Sequence, residues 1–251
     1  KVVHLSTGDV YSATAGTVAE DGAQELVGDW YSDAKRQAEV TCREFAAAGL
    51  PLTWLRPGIV YGPFCYAWTQ RIGLRLAAGQ VALLPEKQNG ICNAVFVDDV
   101  VEACVPLRHP GRADGLAFNI NGPQQITWND YFTAFAAALQ APPLQSAAQG
   151  RTSLKSKLLQ PARVTAKALL KRYQKPIMAI YARNALANRL MKQVEAAFRA
   201  TPETREMQVY ARRLHFDDQR LRKLLPQLPS TTLPDGLSVS SQYLRSFGFL
   251  D

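Results

Sequence analysis

The amino-acid sequence predicts an α/β fold, a parallel sheet whose strands are joined by crossover helices. Three observations carry this. Short apolar runs recur at residues 1–6, 52–56, 94–97 and 116–121, with the length and bounding turns of buried strands. Stretches of a dozen or so residues between them read as helices, and Gly and Pro punctuate the joints, the pattern of strand–helix alternation that builds parallel sheets.

Taken in order, residues 1–6 form a strand with no turn or cap ahead of it, which predicts that chain precedes Lys1 in the full protein. A polar loop rich in Gly, Ala and Ser covers residues 7–28. A helix follows over 29–48 and stops at Gly49 and Pro51. Residues 52–56 make a second strand that breaks at Pro57-Gly58, and 66–78 a helix closed by Gly79. Short strands are expected at 81–84 and 94–97. Asp98-Asp99 suits the positive end of a helix running to about Val105, before Pro106. Residues 116–121 are strand-like, and Thr127 caps a helix to about Gln140, with Asp130 completing a variant capping box. Beyond Ala141 the character changes. Residues 151–200 read as basic helices, Phe216-Asp217-Asp218 opens a short helix, and 237–247 is a terminal helix after a Pro234-Asp235-Gly236 turn. The division is therefore residues 1–140 as one part and 141–251 as a second, helical part. Trp54, Trp68, Trp128, Phe132 and Phe135 read as core, the two phenylalanines sharing one helical face.

The 251 residues are 47% hydrophobic and 20% charged, which excludes a disordered chain or a disulfide scaffold. No apolar run reaches the length of a membrane span, and the cytosol is the expected compartment. Cys42, Cys65, Cys92 and Cys104 are far apart and the three histidines scattered, so reduced thiols and no metal site are expected. Twenty-nine Lys and Arg against 21 Asp and Glu give +8, yet residues 151–200 hold twelve of the bases and one acid, Glu195. The remainder is slightly acidic. This segment interleaves cations with leucines and isoleucines as in a basic amphipathic helix, and peripheral contact with an anionic membrane through residues 151–200 is an expectation. No nucleic-acid-binding spacing is present, and no nucleic-acid partner is expected.

Tyr31 and Lys35 stand at i and i+4 at the start of a helix, placing a phenol and an ammonium one turn apart on one face. A fixed cation favours the phenolate and brings an acid/base group with an ordinary pKa of about 10 toward neutrality. Upstream, Ser6-Thr7-Gly8-Asp9-Val10-Tyr11 ends a strand in a hydroxyl, at the sheet edge where α/β folds bind ligands. Downstream stand Arg56-Pro57-Gly58-Ile59-Val60-Tyr61-Gly62-Pro63, then Val97-Asp98-Asp99-Val100 and Asn119-Ile120-Asn121-Gly122. In this order the motifs resemble the extended short-chain dehydrogenase/reductase family, the NAD-dependent epimerases/dehydratases, clearly to about Gln140 and loosely beyond.

The resemblance implies the C-terminal part of a Rossmann-like, doubly wound parallel sheet with a smaller, mainly helical substrate-binding lobe. It implies Tyr31 as general acid/base, Lys35 as the cation that lowers its pKa and binds the nicotinamide ribose, and Thr7 as the hydroxyl orienting substrate. Pro57, Gly58 and Ile59 would lie beside the nicotinamide of NAD or NADP, and Asn93 beside the substrate; a homodimer is one partner arrangement left open, and the sequence does not set the oligomeric state. The implied activity is NAD(P)-dependent oxidation, reduction or epimerisation at a secondary alcohol or ketone of a nucleotide-sugar. The sequence departs from the family at Ser12, where a Gly is usual, and at Cys92-Asn93, where many nucleotide-sugar enzymes carry Arg-Asp. That departure keeps open a hydroxysteroid-like dehydrogenase acting on a lipophilic alcohol. A Gly-x-x-Gly-x-x-Gly turn for the pyrophosphate is not found in the 251 residues, which keeps open a non-catalytic binding protein on the same fold.

Overall fold

A computed structural model describes residues 1–111, 113–145 and 204–250. Its centre is a parallel three-stranded sheet in the order β1 (Val2–Leu5), β3 (Leu52–Pro57), β7 (Ala117–Ile120), paired Val2 to Leu52 and Trp54 to Ala117. All six residues of β3 are buried, because the middle strand is covered on both faces. Leu52 and Trp54 turn to one face, where Cys42 and Ala46 of helix α1 (Trp30–Ala47) meet them. Leu55 turns to the other, packing with Val100, Ala103 and Leu107 of α3 (Val97–Leu107). Side-chain alternation along one strand thus builds the doubly wound architecture.

A second core forms the lobe. Helix α4 (Trp128–Leu139) starts at Thr127, whose hydroxyl accepts from Asp130 N while Asp130 accepts from Thr127 N, the capping box expected from the sequence. Its Trp128, Tyr131, Phe132 and Phe135 are buried among Ile72 and Leu76 of α2 (Arg71–Ala77), Tyr210 of α5 (Thr204–Ala211), and Leu237 and Leu244 of α7 (Leu233–Ser246). Trp54 packs in the sheet core and Trp68 against the lobe core, so the aromatics read as core are core.

Several local expectations are corrected. The loop 7–28 contains a 3-10 turn, Gly8–Val10, and strand β2 (Ala15–Val18), which pairs in parallel with β9 (Arg213–Phe216). Β2 is mostly exposed and short on apolar side chains, so its pattern gives no strand signal; only the partner, some 200 residues away, fixes it. The strand expected at 81–84 is a single bridge, Ala82 to Gln145. The Pro234-Asp235-Gly236 turn is the first turn of α7, capped by Thr232, since Pro near a helix start costs no hydrogen bond. Phe216 ends β9, and the short helix is α6 (Gln219–Leu224), whose Leu221 packs beneath the sheet. Four further short strands complete the described chain: β4 (Ile59–Tyr61) parallel to β6 (Ala94–Phe96), and β5 (Ile91–Cys92) antiparallel to β8 (Ile126–Thr127). Residues 204–250 therefore pack on both the sheet and the lobe. The helices and the membrane contact expected of residues 151–200 lie outside the described residues. Among the described residues no helix is long and apolar enough to cross a membrane, and the four cysteines are free thiols.

Candidate active site

The carboxyl end of β1 and the amino end of α1 meet at one corner. Asp29 caps α1 by accepting from Ser32 N at 3.0 Å and Ser32 Oγ at 2.7 Å. Asp33 collects the amides of Val27 and Gly28, and Gly28 takes a φ of +80° that favours glycine. Arg36, buried one turn further on, donates to the carbonyls of Asp9, Val10 and Tyr11. This guanidinium ties the turn after β1 to the helix and so sets Thr7 against Tyr31.

Thr7 is buried, its hydroxyl accepts from Asp9 N at 3.2 Å, and it lies near enough to the Tyr31 phenol to favour its ionisation. Lys35 sits on the same face of α1 and donates to the Leu5 carbonyl at 2.8 Å. The structure thus brings Thr7, Tyr31 and Lys35 to one strand end. The electrostatics differ from the sequence expectation. Burial raises the Tyr31 phenol above its ordinary value and Asp9 adds to this; the Thr7 hydroxyl and a cation from elsewhere, Arg205 of α5, work against it. The Arg205 guanidinium lies 5.2 Å from the centre of the Tyr31 ring and 3.1 Å from Asp29 Oδ2. The Lys35 ammonium is held by the Leu5 carbonyl.

Pro57 and Ile59 are buried and Gly58 half-buried at the end of β3. The Gly58 and Ile59 amides are spent on Ile120 O and Asn93 O, and a Cβ on Gly58 would stand 2.1 Å from Asn93 O. The glycine is required by close backbone approach between β4 and β6. Asn93, expected beside the substrate, is a buried joint: Nδ2 donates to Leu214 O at 2.8 Å and Oδ1 accepts from Phe216 N at 3.3 Å, holding β9 in place. Both ends of its amide are used, so no substrate contact is assigned to it. Cys92, at the arginine position of many relatives, is buried in the lobe core, and that burial pushes its thiol well up.

An open groove of about 350 Å³ lies elsewhere, lined by Glu20, Arg43, Trp54, Arg56 and Arg220 among others. Arg43 is twelve residues along α1 from Tyr31, about 18 Å at helical rise, and the groove's cations are engaged: Arg43 and Arg56 with Glu39, Arg220 with Glu20. Thr7, Tyr31 and Lys35 lie instead at the end of β1.

A sheet wound on both faces with hydroxyl, phenol and ammonium gathered at a strand end defines a Rossmann-type α/β fold of the kind that serves dinucleotide-linked enzymes. Residues 1–120 match the model of the NAD dependent epimerase/dehydratase family. No curated protein sequence matches the chain. Among solved structures it is similar to the UDP-glucuronic acid 4-epimerase of Bacillus cereus in complex with NAD (16% identity, 98% of this chain and 61% of that one, TM-score 0.63). It is also similar to the UDP-glucose 4-epimerase of Thermotoga maritima with UDP-glucose (19%, 98% and 63%, 0.62). A third is RMD of Pseudomonas aeruginosa complexed with NADPH (15%, 97% and 66%, 0.61). At these identities the likeness is one of fold. The chain spans somewhat less than two thirds of the length of these structures.

Proposed function

We propose that the full-length protein is an NAD- or NADP-dependent oxidoreductase or epimerase acting on a secondary alcohol or ketone of a nucleotide-sugar, with Tyr31 as its acid/base. The observation that carries this is the meeting of Thr7, Tyr31 and Lys35 at the carboxyl end of β1, within the family-matched residues.

The donor set fits the nicotinamide-ribose end of such a cofactor. Lys35 has three N–H donors and, among the described residues, spends one on Leu5 O, leaving two for ribose hydroxyls. A bound nicotinamide dinucleotide supplies the hydride acceptor or donor. The Thr7 hydroxyl holds the substrate oxygen at the phenol. In oxidation the substrate O–H proton passes to the Tyr31 oxygen as the carbon gives up hydride; in reduction the phenol returns that proton to the carbonyl oxygen. Because burial raises the phenol, the protonated form dominates at neutral pH, which suits proton donation to a ketone. The oxidation rate should therefore climb as pH rises toward the phenol's titration and the reduction rate fall, measured as kcat/KM in both directions.

The direct test assays full-length protein with UDP-glucose and UDP-glucuronic acid, with NAD or NADPH. Tyr31→Phe should abolish turnover and leave dinucleotide binding nearly intact, since it removes only the transferable proton, and Lys35→Ala should lose both. Normal turnover in Tyr31→Phe removes Tyr31 from the mechanism.

A further inference from the structure

Two carboxylates flank the Tyr31 phenol and oppose its ionisation: Asp9 from the turn after β1 and Asp29 from the cap of α1. Each is met by an arginine from one short C-terminal stretch. Arg205, in the first turn of α5, pairs with Asp29 at 3.1 Å and lays its guanidinium over the Tyr31 ring. Arg212, just after α5, pairs with Asp9 at 2.7 Å and lies 5.3 Å from the Phe216 ring centre. The remaining charged neighbours are committed elsewhere: Lys35 to the Leu5 carbonyl, and Arg36 to Asp33 and the carbonyls of residues 9–11.

Resting on the reading of Tyr31 as the acid/base, we infer that Arg205 and Arg212 are positioning residues for its phenol, clamping Asp29 and Asp9 so that a phenolate would face compensated acids. The spacing supports a paired role. One helix, α5, sets the distance between the two guanidiniums, and its buried Tyr210 roots it in the lobe core. Removing either arginine leaves a carboxylate uncompensated beside the phenol, and a like charge disfavours ionisation.

The test uses the full chain with tyrosine labelled at the ring carbon bearing oxygen, following the Tyr31 resonance by NMR as pH is raised, with Tyr31→Phe to assign it. Arg205→Met and Arg212→Met keep the apolar stems, so packing on Tyr31 and Phe216 survives. Each should move the Tyr31 midpoint upward, the double variant further, and Arg205→Lys should recover most of the loss. The kcat/KM for oxidation at neutral pH should fall about threefold to tenfold in each, with dinucleotide affinity unchanged and the rate regained at higher pH. An unmoved Tyr31 midpoint in both single variants overturns the inference. A moved midpoint with unchanged rates leaves the clamp standing and overturns Tyr31 as the acid/base.

Discussion

Two polar clusters share helix α1 and use their hydrogen-bonding capacity very differently. Toward its middle, Glu39 is fully buried and accepts from Ser6 Oγ, Gln24 Nε2, Arg43 Nη2 and, bidentately, from Arg56 Nε and Nη2 at 2.8 and 2.6 Å. Arg56, also fully buried, adds bonds to Tyr11 Oη and the Glu20 carbonyl, and the Tyr11 hydroxyl donates to Asn119 Oδ1. At the amino end, Tyr31 is half-buried and Lys35 makes one bond among the described residues. A saturated buried network fixes one backbone arrangement; a corner with spare donors has capacity left for a ligand. Polar residues of the same types on one helix thus divide into scaffold and chemistry by how many partners they already have.

The largest expected effect is on the scaffold side. Arg56→Met leaves Glu39 buried without its main partner and should cost about 3–5 kcal/mol, read from denaturant unfolding. A cost near zero would show that Glu39 escapes to solvent and break the contrast. Next is Asn119→Ala, which takes the acceptor from the Tyr11 hydroxyl and the Asn119 donor from the Asp217 carbonyl and should cost about 1–3 kcal/mol. Acid titration sharpens the same point. Burial works to raise the Glu39 carboxyl, but the Arg56 bonds prevail and hold it below the ordinary glutamate range. Its contribution is therefore fully present above the unfolded glutamate's pKa and lost as pH falls through the folded one. Stability measured across that acidic window should decline in the wild type, and the decline should be shallower in Glu39→Gln. The smallest expected change is at the corner: Tyr31→Phe and Lys35→Met should each alter stability by no more than about 0.5 kcal/mol while turnover collapses. A large loss of stability in either would make that corner scaffold too.

Capacity was the one property of these residues that spacing does not encode. The interval of four between Tyr31 and Lys35 was enough to put both on one face, and the strand-end hydroxyl enough to name Thr7. Yet the same reasoning aimed Lys35 at the phenol, whereas the Leu5 carbonyl accepts its hydrogen bond and Arg205, 174 positions from Tyr31, faces the ring. Asn93 looked open to substrate because a single sequence does not show β9 arriving to use both ends of its amide.

Local chemistry determined what could be read in order along the chain. Short apolar runs gave β1, β3, β6 and β7; Asp29, Thr127 and the Thr127–Asp130 pair gave the helix starts; Gly49 and Gly79, at φ +95° and +63°, gave the stops. These signals act within a few residues, through caps, turns and side-chain periodicity, and so survive in the sequence. The tertiary structure alone decided the rest: that polar β2 is a strand because β9 lies beside it, that Arg56 is buried because Glu39 faces it, and that α5 delivers Arg205 and Arg212 to Asp29 and Asp9. Each of these depends on a partner distant in the chain, and pairing across such distances is fixed by which cores pack together rather than by any pattern in the residues themselves.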